Sequence, residues 1–139
     1  MAAIAITPAN LRLSTGAGTS TATAGETITP FQLIYRAANG KVMKAVNSSL
    51  LEATFLGVAM TYAAVDEQIG YVPITEGAGV ILNSAAADFV QGKVYCISDT
   101  AGQMFPAADI GTGDYVTIAA YAISTTSLQM HNVQTGYAA

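Results

Sequence analysis

Leu33-Ile34-Tyr35-Arg36-Ala37-Ala38-Asn39-Gly40-Lys41-Val42-Met43-Lys44 is the stretch of this 139-residue chain whose reading decides the fold. Two short apolar runs flank Asn39-Gly40, and both of those residues tolerate positive φ, so the pair favours a tight hairpin. Runs of the same kind, rich in Val, Ile, Tyr, Phe and Thr and broken by Gly, Asn and Asp, continue to the end of the chain. They place strands at Leu33 to Arg36, Lys41 to Ala45, Phe55 to Tyr62, Ile69 to Ile74 and Gly79 to Asn83. Further strands fall at Val94 to Ser98, Gln103 to Pro106, Tyr115 to Ile123 and Ser127 to Asn132. Closely spaced strands and turns are the signature of a sandwich or barrel, so the expected class is all-β.

Helix is expected to be scarce. Ser49-Leu50-Leu51-Glu52 has the spacing of a capping box, and Ser84 to Phe89 is long enough for a turn or two. The hairpin also has an echo. Ile34-Tyr35, Gly40 and Phe55-Leu56-Gly57-Val58-Ala59 are followed by Val94-Tyr95, Gly102 and Thr117-Ile118-Ala119-Ala120-Tyr121-Ala122. Each set reads as a hairpin followed by a long buried strand, and two such units packed face to face bury apolar sides that one hairpin alone cannot. The looser turn at Thr100-Ala101-Gly102 takes the place of Asn39-Gly40 in the second unit.

Residues 1–24 differ from the rest. Ile4, Ile6, Leu11 and Leu13 are followed by small residues from Ser14 to Thr23, which have no large side chain to pack into a core. This segment reads as a flexible arm of about 24 residues, able to reach roughly 80 Å when extended. Residues 25–139 read as one β-rich domain.

Composition limits function. Hydrophobic residues make up 52% and charged residues only 10%, against about 25% charged in an average soluble domain. A surface so poor in charge implies cover by other subunits. The net charge is −4, and Arg12, Arg36, Lys41, Lys44 and Lys93 do not cluster, which argues against a nucleic-acid partner. The uncharged stretch from Tyr115 to Ala139 is interrupted by Ser124 to Ser127, Gln129 and His131, too polar for a membrane span. With no secretory pattern at its start, the chain is expected to be soluble and made in a cytoplasm.

Chemistry-bearing residues are few. One His and one Cys are present, whereas acid/base or nucleophilic catalysis needs a reactive group beside a second that tunes it. His131 alternates with apolar residues and reads as a surface or interface histidine. Cys96, in Val94-Tyr95-Cys96-Ile97, reads as a small buried hydrophobe. Asp109-Ile110-Gly111-Thr112-Gly113-Asp114 lacks the ligand spacing and closing Glu of a calcium loop, so it reads as a glycine turn. Asp66-Glu67 reads as a solvated pair. The pairs Gly16/Gly18, Gly77/Gly79 and Gly111/Gly113 each lack the third glycine of a dinucleotide fingerprint. Asn47-Ser48-Ser49 matches a glycosylation acceptor but lacks a secretory context. Tyr35, Tyr95 and Tyr121 read as core. No catalytic residue, metal or cofactor is expected, and the chain is not expected to be an enzyme.

The order of motifs resembles that of small phage capsid decoration proteins, or cement proteins. The matching stretches are Ala24-Gly25-Glu26-Thr27-Ile28, Leu33-Ile34-Tyr35 with Asn39-Gly40-Lys41-Val42, Phe55-Leu56-Gly57-Val58-Ala59, Thr75-Glu76-Gly77-Ala78-Gly79-Val80, Gly92-Lys93-Val94-Tyr95 and Gly113-Asp114-Tyr115-Val116. That family tends to carry glycine four residues before the first strand's tyrosine, where this chain has Phe31. The resemblance implies a virion protein on the outer surface of an icosahedral head, with the major capsid protein as partner and homotrimers frequent. Ile4, Ile6, Leu11 and Leu13 are the candidate partner-binding residues, docking along a neighbour as an added strand. A fibre, tube or adhesin subunit is the alternative, and a small-molecule-binding barrel a third class.

Overall fold

The computed structural model describes residues 11–15, 19–74, 80–84 and 89–139. Its strands are β1 (Leu11–Thr15), β2 (Ser20–Thr23), β3 (Leu33–Arg36), β4 (Val42–Lys44), β5 (Phe55–Ala59), β6 (Gln68–Pro73), β7 (Ile81–Ser84), β8 (Val94–Ile97), β9 (Met104–Pro106), β10 (Tyr115–Ala122) and β11 (Ser127–Ala138). A single-turn helix α1 (Leu50–Ala53) precedes β5, and a short 3₁₀ turn (Ala107–Asp109) follows β9. The strands form two antiparallel sheets. Sheet A has the order β1-β7-β11-β10-β8-β9 and sheet B the order β2-β6-β5-β3-β4.

The two orders are the same five-strand path written twice. Adding five to each label of β2-β6-β5-β3-β4 gives β7-β11-β10-β8-β9, and β1 is the one strand left over, paired outside β7. Each unit runs from the outermost strand of its five through a hairpin and a helical turn into a strand on the hairpin's other side. The weak echo between residues 34–59 and 94–122 therefore reflects a duplicated topology. The sheets lie face to face, and Leu33, Tyr35, Phe55, Val58 and Val72 of sheet B meet Leu82, Tyr95, Ile97, Ala120 and Leu128 of sheet A in one buried core.

Turn chemistry positions both hairpins. Only Gly40 of the Asn39-Gly40 pair takes positive φ (85°), and the loop is held by Ala37 N–H donating to Lys41 O (2.8 Å). Asn39 uses its side chain, whose Oδ1 accepts from Lys41 N–H (3.0 Å). The tight two-residue turn expected there is thus a longer loop with one left-handed glycine. Gly102 (φ 82°) plays the same part between β8 and β9. At α1, Ser49 caps by accepting from Glu52 N–H (3.3 Å), while the hydroxyls of Ser48 and Ser49 donate to Glu52 Oε1.

The amino-terminal segment departs from the expected arm. Leu11–Thr15 pairs with β7 and Ser20–Thr23 with β6, so both described parts of residues 1–24 are edge strands of this chain's own sheets. The ladder supplies what their small side chains lack: every residue of Ser20–Thr23 has a partner between Gln68 and Tyr71. Ile4, Ile6, Gly16, Gly18, Gly77, Gly79 and most of Ser84 to Phe89 lie outside the described residues.

Polar groups join the two units. Leu33 N–H donates to Gly102 O (2.9 Å), Gly102 N–H to Ala45 O (2.7 Å) and Ala45 N–H to Leu33 O (2.9 Å), closing a ring between the first unit and the second unit's hairpin turn. Buried Asn47 donates from Nδ2 to Ile97 O (3.2 Å), Thr117 from Oγ1 to Ala53 O (2.8 Å), and Asn132 from Nδ2 to Phe55 O and Ile74 O. The Asn47 amide that matched a glycan acceptor is therefore inside the fold.

Candidate interaction surface

The outer faces of the two sheets are treated differently. Ile34, Val42, Ala59, Ile69 and Tyr71 on the outer face of sheet B form a second buried cluster with Ala24, Ile28 and Ala63. The cover is local chain. Residues 24–28 and the connection from β5 to β6, residues 60–67, cross this face, tied down by the bridges Ala24↔Val42 and Ile28↔Ala63. Strand alternation puts apolar residues on both faces of sheet B, and the second face is closed by a roof made from its own connections.

On sheet A the cover is partial among the described residues: Cys96 and Phe105 of the β8–β9 pair are buried on the outer face, while the part around β10 and β11 has no such roof. Its β10–β11 connection is only residues 123–126, against residues 60–67 in the first unit. The register places Val94 opposite Tyr121, Cys96 opposite Ile118 and Ile118 opposite Val133, all on the face turned away from the core. Val94, Tyr121 and Val133 are exposed at 37%, 37% and 39%. His131 stacks on Tyr121 with ring centroids 4.9 Å apart. Between β7 and β9 this face carries no Asp, Glu, Lys or Arg; exposed Arg12 stands at its β1 margin, opposite Asn83, and exposed Lys93 directly before β8.

The residues singled out for chemistry are dispersed. Cys96 is buried, and that burial pushes its thiol up to about 11 from an ordinary 9.0. A thiol held in its protonated form is a poor nucleophile at neutral pH. Asp114 closes its own turn, Oδ2 accepting from Gly111 N–H (2.8 Å), with Gly113 at positive φ. Asp66 pairs with Lys41, and Glu67 Oε1 accepts from Ala64 N–H. Among the described residues no three of His, Cys, Asp and Glu come together as metal ligands, and no helix is long and apolar enough to cross a membrane.

Tyr35 and Tyr95 are core, but Tyr121 is not. A bulge between Ile118 and Ala120 breaks the alternation of β10, so Ala119 and Ala120 are both buried and Tyr121 turns outward. Leu11 and Leu13 sit opposite Ser84 and Leu82 in the β1–β7 ladder. The chain matches no family model and no curated protein.

Proposed function

We propose that this chain is a capsid decoration protein, a structural subunit that binds the outer surface of an icosahedral phage head and stabilises the lattice of its major capsid protein. The observation that carries the reading is the exposed apolar patch of Val94, Tyr121 and Val133 on the outer face of sheet A, with no charged strand residue between β7 and β9, on a fold whose other apolar face is roofed. A face of that kind is suited to burial against protein. The backbone at Phe31 adds support: it takes φ 67°, the left-handed conformation glycine favours, at the position where the resembling family tends to carry glycine.

The mechanism is mass action. A subunit that binds only the expanded lattice stabilises that state by its binding free energy, repeated at every site. A closed oligomer touching several capsomers gains further from multivalency. Leu11 and Leu13 belong to β1, so in this reading docking along a neighbour as an added strand is assigned to Ile4 and Ile6. The test is co-sedimentation of the purified chain with expanded and unexpanded heads lacking it, followed by thermal release of packaged DNA. Binding restricted to expanded heads with a raised release temperature is expected; equal binding to both, or none, sinks the proposal.

A further inference from the structure

The two units differ in one respect that the duplicated topology makes readable. The first unit carries residues 60–67 over its outer face, and the second, with only residues 123–126 in the equivalent place, leaves Val94, Tyr121 and Val133 exposed. The roof itself is two-sided. Ala63 is fully buried beneath it, while Tyr62 and Val65 point away at 59% and 55% exposure, so the loop offers an apolar outer surface as well as an inner one. Roof and open face are on opposite sides of the sandwich, since each lies on the side of its sheet away from the shared core.

We propose that the 60–67 loop of a second copy of this chain covers the outer face of sheet A, with Tyr62 and Val65 seated over Val94, Tyr121 and Val133. In this arrangement a neighbour supplies the cover that no described residue of the second unit gives these side chains. Charge favours the same occupant. The open face has exposed Arg12 at one margin and Lys93 at the other, while the loop brings the carboxylates of Asp66 and Glu67, the first already paired with Lys41. No charged strand residue lies between those margins to oppose an apolar loop, and complementary margins set the orientation of docking. An isologous pairing of two sheet A faces would instead bring Arg12 and Lys93 margins toward their own copies.

The contact is heterologous, loop to face, so it closes into a ring when the rotation per subunit divides the circle and otherwise extends into a filament. The inference rests on the proposed function in one respect, giving the surface that supports it to contact between copies and leaving the head to be bound by the assembled oligomer, but its test needs no capsid. Purified wild type, Tyr62→Asp, Tyr121→Asp and Val94→Asp are compared by size exclusion with light scattering, with near-ultraviolet circular dichroism as the control for folding. Wild type is expected at a multiple of the subunit mass and each variant at the subunit mass. Mixing Tyr62→Asp with Tyr121→Asp restores one intact loop and one intact face, so a two-subunit species is expected from that mixture alone.

A monomeric wild type overturns the inference. So does a Tyr62→Asp protein that keeps the wild-type mass, or a mixture that stays monomeric while both variants are folded. If Tyr121→Asp is misfolded, Val94→Asp takes its place in the mixture. Failure to bind heads leaves these masses untouched, and a monomer leaves head binding to be read separately. The wild-type mass also divides the two structural readings, because a decoration protein stops at a closed oligomer and a tube subunit does not.

Discussion

Cys96 shows how one buried side chain links packing to solution behaviour. Its backbone pairs with Phe105 and Ile118, and its thiol is shut away from water. In the unfolded chain the thiol ionises near 9.0, in the folded chain near about 11. Between those values the unfolded state has lost a proton that the folded state still holds, so stability falls as pH rises. The contribution is fully present below pH 9.0 and is lost by about pH 11, a change of about 3 kcal/mol. Urea unfolding of wild type and Cys96→Ala across this window measures it. The wild type is expected to lose stability relative to the variant as pH rises, and a constant difference would disprove the assignment. Below pH 8 the native thiol should resist iodoacetamide, and denaturant should release it. Tyr35 reports the same physics: burial first, then the charges of Glu52 and Glu26, raise its pKa.

At the scale of the element, strand approach and turn geometry make opposite demands on glycine. A Cβ at Gly57 in β5 would stand 2.3 Å from Val72 O and 3.0 Å from its carbonyl carbon, both backbone atoms of the neighbouring strand. Gly57→Ala must therefore force β5 and β6 apart, at a cost of about 3 kcal/mol or more. Gly40 has open space around it but φ 85°, so Gly40→Ala meets only backbone strain, about 1 kcal/mol. Guanidinium unfolding of the two variants checks the order; similar losses would remove the distinction between crowding and strain.

These same elements mark how far the sequence could be read. The hairpin at Leu33 to Lys44 and the strands with regular alternation were legible because apolar side chains announced them. β1 and β2 were not, since Ser20-Thr21-Ala22-Thr23 has too little apolar surface to signal a strand; β6 recruits it through backbone hydrogen bonds. β11 runs on to Ala138, past the expected end at Asn132, through exposed residues held chiefly by the β10 ladder. Tyr121 was misplaced by a bulge, a one-residue change of phase that composition does not reveal. The open face of sheet A was legible only as a general poverty of charge, because locating it required knowing which connection is long and which is short.

The whole molecule is two units made interdependent. The backbone ring through Leu33, Ala45 and Gly102, and the side chains of Asn47, Thr117 and Asn132, satisfy polar groups of one unit with partners in the other or in α1. Losing either unit would leave buried groups without partners, each costing about 1–3 kcal/mol. Thermal unfolding is therefore expected as one transition, with calorimetric and van't Hoff enthalpies equal. Two resolved transitions, or a stable fragment ending between β6 and β7, would contradict this. The ring also has a consequence during synthesis. Leu33 is made long before Gly102, so the first unit emerges from the ribosome with its hairpin end unsealed. It cannot complete its structure until the turn between β8 and β9 has followed it out, so the two units are expected to fold together rather than one after the other.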